Sequence, residues 1–137
     1  MDDALRQRFK VFLESDGFDK VLSRVEILEV AGGRSRLRLS VERSLQNIGN
    51  NLHGGASATL VDYAGTLAIM SADKEGRPGV TTDLNVSYLS AGRPGESVLV
   101  EAHCLKAGRT LAYVSVDLLR EQDGVRIAQG RMTKFMG

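Results

Sequence analysis

One segment limits the folds open to this chain more than any other. From Ala56 to Ala72 nearly every side chain is apolar or small, and the one charged residue is Asp62. A helix apolar on almost all sides has to be covered on most of them. Its seventeen residues fall short of the roughly 20 that a membrane span requires, so no membrane span is expected and the cover must come from the rest of the chain. No breaker interrupts the pattern until Asp73–Gly79, which places the helix between about His53 and Ala72.

The flanking sequence supplies strands. VEILEV (Val25–Val30) and SRLRLSVE (Ser35–Glu42) flank Ala31-Gly32-Gly33-Arg34, with Leu37, Leu39 and Val41 alternating against Arg36, Arg38 and Ser40, as in a hairpin with one wet face. After the helix, Val80 opens a strand in which Thr82, Leu84, Val86 and Tyr88 are expected on one face and Thr81, Asp83, Asn85 and Ser87 on a polar one. SVLVEAHCLK (Ser97–Lys106) and RTLAYVSVDLLR (Arg109–Arg120) form a second hairpin through Ala107-Gly108, and VRIAQGRMTKFM (Val125–Met136) returns as a last strand. Leu5, Phe9, Phe12 and Leu13 give the N-terminus the spacing of a short amphipathic helix. The expected fold class is α+β: one domain, residues 1–137, whose antiparallel sheet wraps a single long helix.

Composition removes several functions. Eighteen basic and seventeen acidic residues, without runs of like charge, leave no electrostatic footprint for nucleic acid. The single Cys104 forms no intramolecular disulfide, and the N-terminus carries acids rather than a secretory pattern, so a reducing, cytoplasmic setting is expected. No metal site is expected. His103, in a later strand, is expected to be packed or surface-facing.

Asp62 then requires explanation, because an ionised acid among apolar side chains is costly unless it is hydrogen-bonded or serves a site. Helical spacing places Gly55, Thr59, Asp62 and Thr66 on one stripe, and Leu60, Ala64, Leu67 and Met70 on faces toward the core. A stripe of small residues beside a carboxylate leaves room for water or a ligand. At the helix start, His53-Gly54-Gly55 offers unpaired N–H groups, a partial positive charge and glycines that let an oxygen approach, which is the chemistry of an oxyanion hole. A turn and a packed histidine are the simpler structural readings of the same three residues.

The pattern Asn-x5-His-Gly-Gly-x6-Asp, with NIGNNLHGGASATLVD (Asn47–Asp62), RPGVTTDLNVSYLSAGRPGE (Arg77–Glu96), LKAGRTLAYVSVDL (Leu105–Leu118) and IAQGRMTKFMG (Ile127–Gly137), resembles the hot-dog fold acyl-CoA thioesterases. More narrowly it resembles the branch with the phenylacetate-degradation and thioesterase superfamily member 2 proteins. The resemblance implies Asp62 as general base or nucleophile, Asn47 and the Gly54 N–H as the groups that polarise the thioester carbonyl, and Thr81 as the hydroxyl that orients water. Thr82 is the alternative for that last role. His53 and Gly55 would border the substrate. Coenzyme A, met as part of the substrate and not as a cofactor, would be held by Lys106, Gly108, Arg109 and Thr110 at the hairpin tip, with Tyr88, Asp83 and Arg43 nearby. The resemblance further implies a homodimer whose sheets join edge to edge, one subunit's helix acid meeting the other's strand residues, or a homotetramer built as a dimer of dimers. In a eukaryote, mitochondrial association would be compatible with it. A non-catalytic acyl-CoA or aromatic-ligand binding module on the same roll is the competing reading, and it has no use for Asp62. Fatty and phenylacetyl-type acyl groups both remain open.

Overall fold

The computed structural model describes residues 3–137, so the first two residues of the expected N-terminal helix lie outside the described residues. Helix α1 (Asp3–Glu14) and a 3-10 turn (Phe18–Leu22) precede β1 (Glu26–Ala31) and β2 (Arg34–Ser40). A second 3-10 turn (Arg43–Leu45) leads through the Asn-rich loop into α2 (Gly54–Ala72), followed by β3 (Val80–Tyr88), β4 (Ser97–Ala107), β5 (Leu111–Arg120) and β6 (Arg126–Phe135). Every ladder is antiparallel in a six-stranded sheet of order β1-β2-β4-β5-β6-β3. The strand that follows the helix therefore crosses to one edge and pairs only with β6, leaving its other side open.

The sheet curves round α2, about 28 Å long at 1.5 Å per residue, and the expected helix limits hold to a residue. Leu60, Val61, Ala64, Leu67, Ala68, Ile69 and Met70 are buried against Leu37, Val100, Val114 and Val116. Contact is close because both surfaces carry glycine at the crossing. A Cβ on Gly65 would come within 2.7 Å of Met132 Cε and 2.8 Å of Val114 Cγ1, and one on Gly130 within 2.7 Å of Val61. Those positions spend helix and strand propensity to bring backbone near backbone. Deep in the core a polar tie joins the layers: the buried Ser35 Oγ donates to the Ala64 carbonyl at 2.7 Å.

Strand β2 alternates as its sequence indicates, with Ser35, Leu37 and Leu39 buried between more exposed arginines. Strand β3 does not. Thr81 pairs with Lys134 and Asp83 with Thr133, so Thr82 is an extra residue in a β-bulge. The bulge turns Thr81 to the helix side, with Leu84 and Val86, and away from Asp83, Asn85 and Ser87. The expected polar face with Thr81 on it is corrected accordingly: strict alternation fails wherever a ladder carries an extra residue.

Candidate active site

The start of α2 is built by its own cap. His53 Nδ1 accepts the Gly55 N–H at 2.8 Å, closing one of the unpaired donors of the first turn. The Gly54 N–H remains without a partner among the described residues. A Cβ on Gly54 would meet only the Tyr88 ring, at 3.5 Å, which is ordinary contact. Nothing within the chain demands glycine there, so its bare backbone is free for the approach of another group. Tyr88 does not stand at the hairpin tip. Its hydroxyl donates to the Gly54 carbonyl at 2.8 Å and latches the end of β3 onto the first helical residue.

Asn47 lies in the loop just before. Its Oδ1 accepts from the backbone N–H groups of Gly49 (2.9 Å) and Asn51 (3.1 Å), an Asx-type turn supported by the left-handed backbone of Asn50 at φ 66°. With its oxygen committed, the Asn47 amide N–H2 is the free end of the side chain, and it donates to none of the described residues.

Two turns along the helix, Asp62 sits on the one stripe the sheet leaves open. Gly55 is exposed and Thr59, Asp62 and Thr66 are half-buried, as is the neighbouring Ala58, whereas the other helix residues between them are buried. The two threonine hydroxyls fold back onto the Gly55 and Asp62 carbonyls at 2.7 Å each, so they do not compete for the carboxylate. Thr81 Oγ1 donates to Asp62 Oδ1 at 2.7 Å, and the second carboxylate oxygen accepts from none of the described residues. Thr82 instead donates outward to the Thr133 carbonyl. The choice between the two threonines is therefore decided by the bulge. Asp62 and Thr81 thus meet within one chain.

The other expected residues divide between the two ends of α2. Arg43 is exposed in the 3-10 turn whose Leu45 carbonyl accepts the His53 N–H, near the helix start. Lys106, Gly108, Arg109 and Thr110 lie beyond the helix C-terminus, where Ala107–Arg109 and Ala72–Arg77 border a cleft of about 370 Å³. The tip is rigid. Gly108 approaches Leu111 so closely that a Cβ would fall 2.5 Å from its carbonyl oxygen, and the Arg77 guanidinium bridges Asp73, Met136 O and Arg109 O. Asp83 is exposed on β3, on the opposite face from Thr81. Within one chain, then, Arg43 and Tyr88 are not near Lys106 and Arg109, because β3 crosses to the sheet edge and Tyr88 ends at the N-terminal end of α2. His103 is exposed, on the outer face of the sheet and away from Asp62.

Sequence reading missed Lys134. It is buried directly opposite Thr81, and its phase with Met132 on β6 and Met136 just beyond the strand was the available signal. Among the described residues there is no group of three or more His, Cys, Asp or Glu that could hold a metal. Among the described residues no helix is long and apolar enough to cross a membrane.

A carboxylate with a hydroxyl partner, an unpaired amide at a helix start and a free carboxamide are the kinds of donor and acceptor that acyl transfer to water uses. Comparison with known proteins agrees. The sequence model described as "Thioesterase superfamily" matches residues 49–127. The mouse protein named acyl-coenzyme A thioesterase 13 is 42% identical over 137 residues, spanning 100% of this chain and 97% of its own. The crystal structure of zebrafish thioesterase superfamily member 2 superposes with a TM-score of 0.93 at 46% identity, covering 98% of this chain and 97% of that one. A hypothetical thioesterase protein from Streptococcus pneumoniae, solved with coenzyme A, gives 0.75 at 29% identity over 81% of this chain and 86% of that one. The chain belongs to the thioesterase superfamily, a thioester hydrolase with the hot-dog fold.

Proposed function

We propose that this chain hydrolyses acyl-CoA thioesters to free acid and coenzyme A, with Asp62 as the base that activates water. The observation that carries the reading is the 2.7 Å Thr81–Asp62 hydrogen bond on the single open stripe of an otherwise buried helix. Thr81 fixes one carboxylate oxygen and leaves the other to take a proton. The Gly54 N–H and the Asn47 amide receive the thioester oxygen as it becomes an oxyanion, and the partial positive charge of the helix start favours that anion. Water attacks and its proton passes to Asp62; collapse of the tetrahedral adduct then breaks the C–S bond, and Asp62 returns the proton to the departing sulfur, releasing the thiol of coenzyme A and restoring the carboxylate.

The reading requires two copies. Gly54 and Asp62 are eight residues apart on one helix, about 12 Å along its axis. A donor and a base that work on one carbonyl must both come within about 3 Å of the reacting atoms. A second copy paired through the open β3 edge, antiparallel about a two-fold axis, would bring its Gly54 and Asn47 toward this chain's Asp62 and Thr81. The same pairing would bring Arg43 and Tyr88 of one copy toward the Lys106–Thr110 tip of the other, so that the residues expected to hold coenzyme A converge. A homodimer is the least that this requires, and a dimer of dimers is compatible with it. The lone thiol of Cys104 supports a cytoplasmic setting as part of the same proposal.

Thiol release from acetyl-, phenylacetyl- and palmitoyl-CoA tests the reading. Replacing Asp62 by alanine is expected to lower kcat by about 10²- to 10⁴-fold while folding and oligomer size persist. Retention of most of the turnover would overturn it. Tight binding of acyl-CoA without thiol release by the wild type would point to the binding-module alternative.

A further inference from the structure

Lys134 is the one charged residue among the described residues that the fold buries, 5% exposed on the inner face of β6. It makes no hydrogen bond or ion pair with the described residues. Its cross-strand neighbours are Thr81 on β3 and Ala112 on β5, and directly opposed side chains on one sheet face hold their Cβ atoms about 5 Å apart. Gly79 makes room for its stem, since a Cβ there would fall 3.3 Å from Lys134 Cβ. Two charged groups act on the ammonium, Asp62 from α2 and Asp19 from the first 3-10 turn; Thr81 and Ala112 are neutral. Burial pulls the ammonium below the ordinary lysine range, against the opposing pull of the two carboxylates.

A cation on a largely buried stem without a partner among the described residues costs stability, and a methionine in the same slot would pack without that cost. The next two inward positions on either side, Met132 and Met136, are buried methionines. A charge kept against that alternative, one residue's breadth from the Thr81–Asp62 pair, has its use at the site. We infer that Lys134 is a positioning residue for the hydrolysis: its ammonium supplies the fixed positive charge against which the Asp62 carboxylate is held and turned toward Thr81. The inference rests on Asp62 being the base. Its effect grows when substrate covers the stripe, because excluding water removes the screening between the two charges.

Lys134→Met, Lys134→Arg and Asp62→Ala, measured side by side with the wild type, test it. Lys134→Met is expected to lower kcat by about tenfold with KM within about twofold, and to leave the thermal midpoint unchanged or raised, because a buried charge has been removed. Lys134→Arg is expected to restore most of kcat. It should also hold its rate on the alkaline side, where the wild type declines as the Lys134 ammonium gives up its proton. Wild-type kcat in Lys134→Met would overturn the inference. So would a loss of kcat accompanied, in both Lys134 variants, by a lowered midpoint or failure to fold, since that is the mark of a packing role. Full turnover in Asp62→Ala would instead remove the reading beneath it, whereas loss in Asp62→Ala with wild-type rates in Lys134→Met would remove the lysine's role alone.

Discussion

The two sides of α2 answer to different demands. On the closed side, Leu60, Ala64, Leu67 and Ala68 are fully buried, and Gly65 opposite Met132 lets helix and sheet touch. On the open side, Gly54, Asp62 and the bordering Asn47 each keep one group without a partner among the described residues: an N–H, a carboxylate oxygen and an amide. Such groups are left for water and, in the proposed function, for substrate. The difference shows how one helix can serve as both core and site. Packing spends its apolar surface on three sides, and the fourth is kept small, polar and unfinished.

Damage to the closed side should cost stability before it costs chemistry. Leu67→Ala is expected to lower the unfolding free energy by about 2–5 kcal/mol, read by denaturant titration, with kcat little changed in the fraction that remains folded. A loss of turnover without a loss of stability would break the comparison. The open side should show the reverse. Thr81→Val keeps the shape and removes the hydroxyl that donates to Asp62. It is expected to cut kcat about tenfold while moving the thermal midpoint by no more than a few degrees.

The smallest effect belongs to the helix C-terminus, where the Arg77 guanidinium and the backbone N–H groups of Glu75 and Arg77 hold Asp73 down at about 2, against an ordinary aspartate value of 3.8. A carboxyl depressed in the fold stabilises it above its unfolded value and loses that contribution as pH falls through the folded one. Asp73→Asn should therefore flatten the acid-unfolding curve between about pH 4 and pH 2 and leave catalysis at neutral pH intact. A change in kcat there would mean that the closed end of the helix takes part in the chemistry.

How much of this was legible in the sequence follows the same division. Helix α2, its limits and the stripe of Gly55, Thr59, Asp62 and Thr66 all follow from local spacing, because a helix closes its hydrogen bonds within itself. Strand faces do not. Thr81 reached the helix side only because β6 pairs with β3 across an extra residue, and no periodicity within Val80–Tyr88 carries that information. Lys134 escaped notice for a related reason: which face of β6 is covered depends on where the sheet curls. Grouping Tyr88 and Arg43 with the Lys106–Thr110 tip failed in the single chain because chain order says nothing of the crossing that sends β3 to the sheet edge.

The central claim is that the open side of α2 is completed by a second copy, and subunit mixing tests it most directly. Asp62→Ala and Asn47→Ala chains, each nearly inactive alone, would be unfolded together, refolded as mixed oligomers and assayed for thiol release. If each site takes its acid from one chain and its carboxamide from the other, half the sites in every mixed pair are intact, and random assembly should recover about a quarter of wild-type activity. Recovery near that level, absent when the two proteins are combined without exchange of subunits, is the expected result. No recovery from mixed oligomers that are shown to have formed would place both groups in one chain and contradict the account.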